Sequence, residues 1–280
     1  MQLTSAWLNQ LPLPTITSAH SVSGGDINEA FRLETAEGPY FLLVQPGQPA
    51  SFYAHEVAGL QALGQAVNVP EVIATGEIDH DAYLVLEFLE IGDGSQYDLG
   101  QAVARVHRLT AHQFGFDQSN LVAKLPKNNT WQSDWTTFYL KQRLDPLVAR
   151  AQKHGLWSPT RQAAYDRVRQ AIIDENQGRQ IQPSLLHGDL WAGNYLFTTD
   201  GTPTLIDPDV LYGDREFDLA MTTIFGGFSA DFYRGYQDAY PLTAGYTERL
   251  PHYQLYYLLA HLNLFGETYG EAVDQTLARG

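Results

Sequence analysis

The sequence predicts an α+β chain of two lobes, a strand-rich first lobe over residues 1–90 and a mainly helical second lobe over 91–280. Three observations carry this. Short β-rich runs separated by turn signals fill the first stretch. Apolar residues recur at helical spacing through most of the remainder. One β interlude, between 185 and 206, interrupts the helices and is flanked by carboxylate and amide side chains.

Residues 3–11 read as a short helix stopped by Pro12 and Pro14. Strands follow at His20–Val22, Glu29–Glu34 and Tyr40–Val44. The turns between them are Ser23-Gly24-Gly25-Asp26 and Ala36-Glu37-Gly38. Phe52–Leu63 spaces Val57, Leu60 and Leu63 as one helix face, and Val72–Thr75 and Tyr83–Phe88 are two further strands. The Gly- and Asp-rich segment Glu90–Asp98 reads as a hinge. Beyond it, Leu99–Leu109, Trp135–Ala151, Arg161–Glu175 and Tyr253–Phe265 read as helices. The interlude is a hairpin: Tyr195–Phe197, a turn containing Asp200-Gly201, then Thr204–Ile206.

Seventeen basic and 32 acidic side chains give a net charge of −15. Residues 1–104 hold one basic side chain, Arg32, against thirteen acids, and all four lysines (Lys124, Lys127, Lys141, Lys153) come later. A nucleic-acid reader needs a basic stripe to neutralise phosphates, and an anionic membrane surface asks for the same, so both partner classes are disfavoured. There is no cysteine, hence no disulfide, thiol nucleophile or thiolate metal site. No apolar run approaches the roughly 20 residues that span a bilayer, and the first residues lack a signal-peptide pattern. A cytoplasmic enzyme is the expectation.

The chemistry is concentrated around the hairpin. His187-Gly188-Asp189-Leu190-Trp191-Ala192-Gly193-Asn194 is an H-x-D-x-x-x-x-N pattern, and Asp207 follows across the hairpin. This is the layout of protein-kinase-like phosphotransferases. A loop aspartate reaches the attacking hydroxyl and accepts its proton. An asparagine one loop turn on, and an aspartate at the end of the next strand, supply hard oxygen ligands, which suit magnesium rather than zinc. Taken singly, each of these residues could be an ordinary solvated turn former.

The run Leu186–Asn194 and the run Asp207-Pro208-Asp209-Val210-Leu211-Tyr212-Gly213-Asp214-Arg215-Glu216-Phe217-Asp218 resemble the fructosamine-3-kinase family, with its bacterial ribulosamine and erythrulosamine kinase relatives. Further matches are Gly24–Ala30, Glu56 with Gly59-Leu60, Phe114–Asp117, Asp134-Trp135 and His261–Gly266. The resemblance spans nearly the whole chain. It implies a two-lobed protein-kinase-like fold, ATP and Mg²⁺ as cofactors, and phosphorylation of the 3-hydroxyl of a small-molecule or protein-bound ketosamine. It makes Asp189 the base and Asn194 and Asp207 the metal ligands. Ser23, Gly24, Gly25, Asp26 and Asn28 become the loop over the phosphates, and Glu56 and Glu87 join the nucleotide site. Trp191, Tyr212, His261 and Asn263 are candidate sugar contacts, with His187 and Asp218 in support.

One departure stands out. Where the family's strand places a lysine for the α- and β-phosphates, this chain has Leu43, and its usual partner Glu56 remains. Loss of a charge-assisted bond of about 1.5–3 kcal/mol implies roughly 10- to 100-fold weaker nucleotide handling unless something compensates. Candidates for compensation are Arg32, His55, Lys124 or Lys127, or the metal ions helped by the extra acid Asp209. The rival functions are a small-molecule kinase of the aminoglycoside or choline type and a kinase-like protein of weak or no activity.

Overall fold

The computed structural model describes residues 3–22, 29–118, 120–122 (backbone) and 125–279. The chain divides into two compact units, one of residues 1–95 with 195–208 and one of residues 96–194 with 209–280.

The first unit opens on α1 (Ser5–Leu8), shorter than the 3–11 reading. Thr4 caps it by accepting the Trp7 amide, and the buried Trp7 indole donates to the Ile78 carbonyl. Strands β1 (Ile16–Ser21), β2 (Glu29–Thr35), β3 (Gly38–Gln45), β4 (Val72–Ile78) and β5 (Asp81–Glu87) form an antiparallel sheet, with α2 (Ala54–Leu63) between β3 and β4 in sequence. Its strand order is β1-β2-β3-β5-β4. Alternation assigns the faces. Phe31, Leu33, Leu42, Val44 and Val85 pack with Trp7. Ala30, Leu43, Leu84 and Leu86 pack with Tyr53 and Leu60. The turn joining β4 to β5 holds Asp79 and His80 at φ 52° and 69°, so the two strands run longer than their apolar cores suggest.

The segment read as a hinge is structured at its start. There β6 (Ile91–Gly92) pairs with Thr198 and Phe197 across a two-residue ladder. A strand that short has no periodicity for a sequence to display.

The second unit begins with α3 (Gln96–His107), β7 (Asn120–Val122) and β8 (Leu125–Lys127). The helix expected over 135–151 is α4 (Trp135–Tyr139), a π turn at Leu140–Leu144 and α5 (Asp145–Lys153). Pro146 has no N–H for the carbonyl four residues back, so the ladder shifts register there. Then come α6 (Pro159–Asn176) and β9 (Ser184–Leu186). The hairpin β10 (Tyr195–Thr198) and β11 (Pro203–Leu205) belongs to the first unit. The chain re-enters the second unit with β12 (Leu211–Gly213), α7 (Glu216–Thr222), α8 (Ala230–Ala239), α9 (Tyr246–Phe265) and α10 (Gly270–Leu277). Its core is aromatic, built on Trp135, Phe138, Tyr139, Phe217, Tyr253 and Tyr257. Pairing of β12 with β9 sets Leu211 opposite Leu186 and so fixes where the loop after β9 begins.

Candidate active site

The loop from His187 to Asn194 is held by the fully buried Asp218, in the first turn of α7. Its carboxylate accepts the backbone amides of His187 at 2.7 Å and Gly188 at 2.8 Å. The buried His107 ring bridges the same carboxylate (3.1 Å) and the Tyr236 hydroxyl (2.8 Å), extending the network to α3 and α8. Gly188 turns the chain at φ +82°, and a Cβ there would fall 1.8 Å from the Asp209 carbonyl oxygen. Only glycine fits.

Asp189 follows this turn. Its amide donates to His187 Nδ1 at 3.3 Å, so that ring nitrogen is the acceptor. Asn194, buried at the end of a short 3₁₀ turn, donates its side-chain amide to the Asp189 carbonyl (2.9 Å) and carboxylate (3.1 Å). Burial raises the Asp189 carboxyl above its ordinary value. The charges of Lys127 and His261 and the Asn194 hydrogen bond oppose that rise. With its donor end on Asp189, the polar atom Asn194 offers a hard cation is its carbonyl oxygen.

The Tyr-Gly-Asp-Arg-Glu run anchors the helix that carries Asp218. Arg249 forks onto Glu216 with two bonds of 2.6 Å, and Arg179 reaches Asp214 at 3.1 Å and Glu216 at 3.3 Å. Trp135 donates to the Tyr253 hydroxyl, which donates to Asp214 at 2.7 Å. These charges are buried and paired. Their work is to fix α7.

The candidate sugar contacts separate. Trp191 is 40% exposed and lays its ring over Gly193, inside the loop. His261 donates Nδ1–H to the Tyr257 carbonyl at 2.8 Å and sits among Phe225, Phe265 and Tyr269. Asn263 spends its amide on the Leu147 and Leu259 carbonyls, tying α9 to α5. Tyr212 stacks on Phe116 and lies tilted against Trp131, whose indole donates to Asp117. Among the described residues, no hydrogen bond or ring contact of Tyr212 or Asn263 reaches the 187–194 loop. His107 and Tyr236 were not singled out in the sequence. They lie 129 positions apart, and nothing local marks them as partners.

In the first unit, Asp207 ends the hairpin in a left-handed conformation, φ +50°, which a non-glycine residue rarely adopts. Glu56 and Asp207 act on each other. Burial first, then the Asp207 charge, pushes the Glu56 carboxyl up to about 8, and both acids help raise the buried Tyr53 hydroxyl. Leu43 is buried against Tyr53 and Leu60. Arg32 is taken up by Glu34 at 2.6 Å, Glu90 at 3.7 Å and the Phe88 ring at 4.3 Å. His55 is buried in α2. Glu87 ends β5 and its carboxylate accepts the Glu71 amide at 3.3 Å. Ser23, Gly24, Gly25, Asp26, Asn28 and Lys124 lie outside the described residues.

Among the described residues, no group of three or more His, Asp or Glu side chains is assembled that could hold a metal alone. Asn194 and Asp207 each carry a hard oxygen donor of the kind magnesium takes, and magnesium commonly needs one or two protein oxygens besides substrate phosphates.

A family model described as "Fructosamine kinase" matches residues 1–279. A "Probable ketoamine kinase" of Lactiplantibacillus plantarum is 59% identical over 99% of both chains. The Arabidopsis thaliana protein named "Protein-ribulosamine 3-kinase, chloroplastic" is 35% identical over 91% of this chain and 79% of its own. A solved structure from Thermobifida fusca, described as a "putative fructosamine-3-kinase", is 29% identical, with a TM-score of 0.87 over 98% of this chain and 97% of that one. The H-x-D-x-x-x-x-N loop, its Asp218 support and these likenesses agree, and the chain belongs to the fructosamine kinase family.

Proposed function

We propose that this protein transfers the γ-phosphoryl group of ATP to the 3-hydroxyl of a ketosamine, free or protein-bound, with ribulosamines and erythrulosamines ahead of fructosamines. The observation that carries the reading is the oriented Asp189 carboxylate, fixed by Asn194 and by the Asp218-held turn in a chain of this family. Asp189 accepts the proton of the 3-hydroxyl as the bond from its oxygen to the γ-phosphorus forms. The bond from that phosphorus to the bridging oxygen breaks, and ADP leaves with the electron pair. Asn194 and Asp207 would hold Mg²⁺, which when bound neutralises charge on the β- and γ-phosphates. The product carries a phosphate beside the C2 carbonyl, a better leaving group than hydroxide. Its breakdown frees the amine, so the activity is one of deglycation.

The test is ADP release with ATP and Mg²⁺ over ribulose-, erythrulose- and fructose-lysine, an aminoglycoside and choline. Turnover confined to ketosamines supports the reading. Turnover with the aminoglycoside or choline alone sinks it, and ATP binding without turnover marks an inactive kinase-like protein.

A further inference from the structure

Lys127 carries a buried ammonium beside the catalytic loop. Its side chain is 13% exposed and its Nζ contacts Asp209, whose side chain is 9% exposed. Asp209 is fastened to that loop in turn. Its amide donates to the His187 carbonyl at 2.8 Å, and its own carbonyl oxygen fills the space where Gly188 lacks a Cβ. The Lys127–Asp209 pair therefore abuts the two residues that precede Asp189. The charges of Lys127 and Asp189 act on each other, while burial and the Arg143 charge pull the ammonium down from its ordinary value.

An ammonium has three donors. Among the described residues, one goes to Asp209 and one direction faces the Tyr256 ring, 5.7 Å from Nζ to its centroid. A buried charge is costly unless it is paired and its donors are used, and an apolar pair of similar volume commonly costs less. The remaining donor is accounted for if it meets an acceptor on the bound substrate.

The neighbouring chemistry identifies that acceptor. A ketosamine whose 3-hydroxyl lies at Asp189 places its C2 carbonyl oxygen on the adjacent carbon. A carboxylate with a buried ammonium near enough to feel its charge matches such a hydroxyketone: the carboxylate takes the O–H and the ammonium donates to C=O. Asp209 cancels the ammonium charge, so a cationic C1 amine is not repelled.

We propose that Lys127, anchored by Asp209, donates a hydrogen bond to the C2 carbonyl oxygen and selects a ketosamine over the corresponding amino-alcohol. The inference rests on the ketosamine kinase reading above, and no covalent bond to the substrate is formed.

The test compares ribulose-lysine with its borohydride-reduced counterpart, in which C2 bears a hydroxyl. Wild type and the double variant Lys127→Met/Asp209→Asn, which removes both buried charges together, are assayed for kcat/KM. A site built to hydrogen-bond a group discriminates strongly against an analogue lacking it, so wild type should prefer the ketone by about 100-fold or more. The double variant should fall to within roughly 5-fold, through loss of the ketone rate and not a gain elsewhere. An unchanged ratio, or an equal fall for both substrates, overturns the inference. Wild type that turns over neither compound overturns the functional reading and this one with it. If the double variant does not fold, Asp209→Asn alone carries the test, since loosening the anchor should lower the preference, and an unchanged preference contradicts the proposal.

Discussion

Asn194 holds Asp189 from both ends, donating to its backbone carbonyl at 2.9 Å and to its carboxylate at 3.1 Å. The carboxylate is thereby aimed before any substrate arrives. Asp189→Asn keeps the shape and removes the base, so kcat should fall by about 100- to 10,000-fold with little change in the KM for ATP. Steady-state ADP release checks this, beside a thermal melt that should be unchanged. Similar loss of kcat and of Tm would mean the residue is structural.

Arg249 and Glu216 make a different prediction. Both are buried and joined by two short bonds. Arg249→Met leaves the Glu216 carboxylate only its longer contact with Arg179, at 3.3 Å, and should cost about 3 kcal/mol in urea unfolding, the low end for a broken buried pair. Adding Glu216→Gln should recover part of it. If kcat at a temperature where the variant is folded fell as far as in Asp189→Asn, the run would have a chemical role beyond fixing α7.

The sequence resemblance aligns Leu43 with the family's nucleotide lysine, and Glu56 has no cation partner among the described residues. Leu43→Lys should restore the pair and lower the KM for ATP by roughly 10-fold. No change in that KM would show that the phosphates are held by another route.

Glu56 also links stability to pH. Its carboxyl titrates ordinarily at 4.5 and is pushed up to about 8 in the fold. The folded state therefore holds the proton more tightly, so stability is full below about 4.5 and declines as pH rises through the window to about 8. In EDTA, the Tm of wild type should fall across this window more steeply than that of Glu56→Gln. Parallel curves would place the titration elsewhere. Added Mg²⁺ should raise the wild-type Tm most at the alkaline end.

Much of this was legible in the sequence because it is local. The spacing of His187, Asp189, Asn194 and Asp207 lies within one loop and one hairpin, and alternation along Ala30–Leu33 and Leu42–Val44 assigns the sheet faces. What escaped depends on distance or on very short elements. Ile91–Gly92 is too short to show a period, and the π turn at Leu140–Leu144 is invisible in apolar spacing that continues through it. Asp79-His80 lacks the glycine that usually advertises a hairpin turn. The pairing of Lys127 with Asp209, and of His107 with Asp218 and Tyr236, joins residues far apart in the chain. Composition showed that the first lobe lacks a lysine. Only the fold showed that Arg32 is already taken by Glu34, Glu90 and Phe88.

Everything above turns on the phosphoryl group going to the 3-hydroxyl of a ketosamine. The most direct measurement is a phosphorus–proton correlation NMR spectrum of the product from ribulose-lysine, ATP and Mg²⁺. One phosphomonoester is expected, its phosphorus coupled to the proton on C3, and it should be absent with Asp189→Asn. A phosphorus coupled to protons of any other sugar carbon would contradict it.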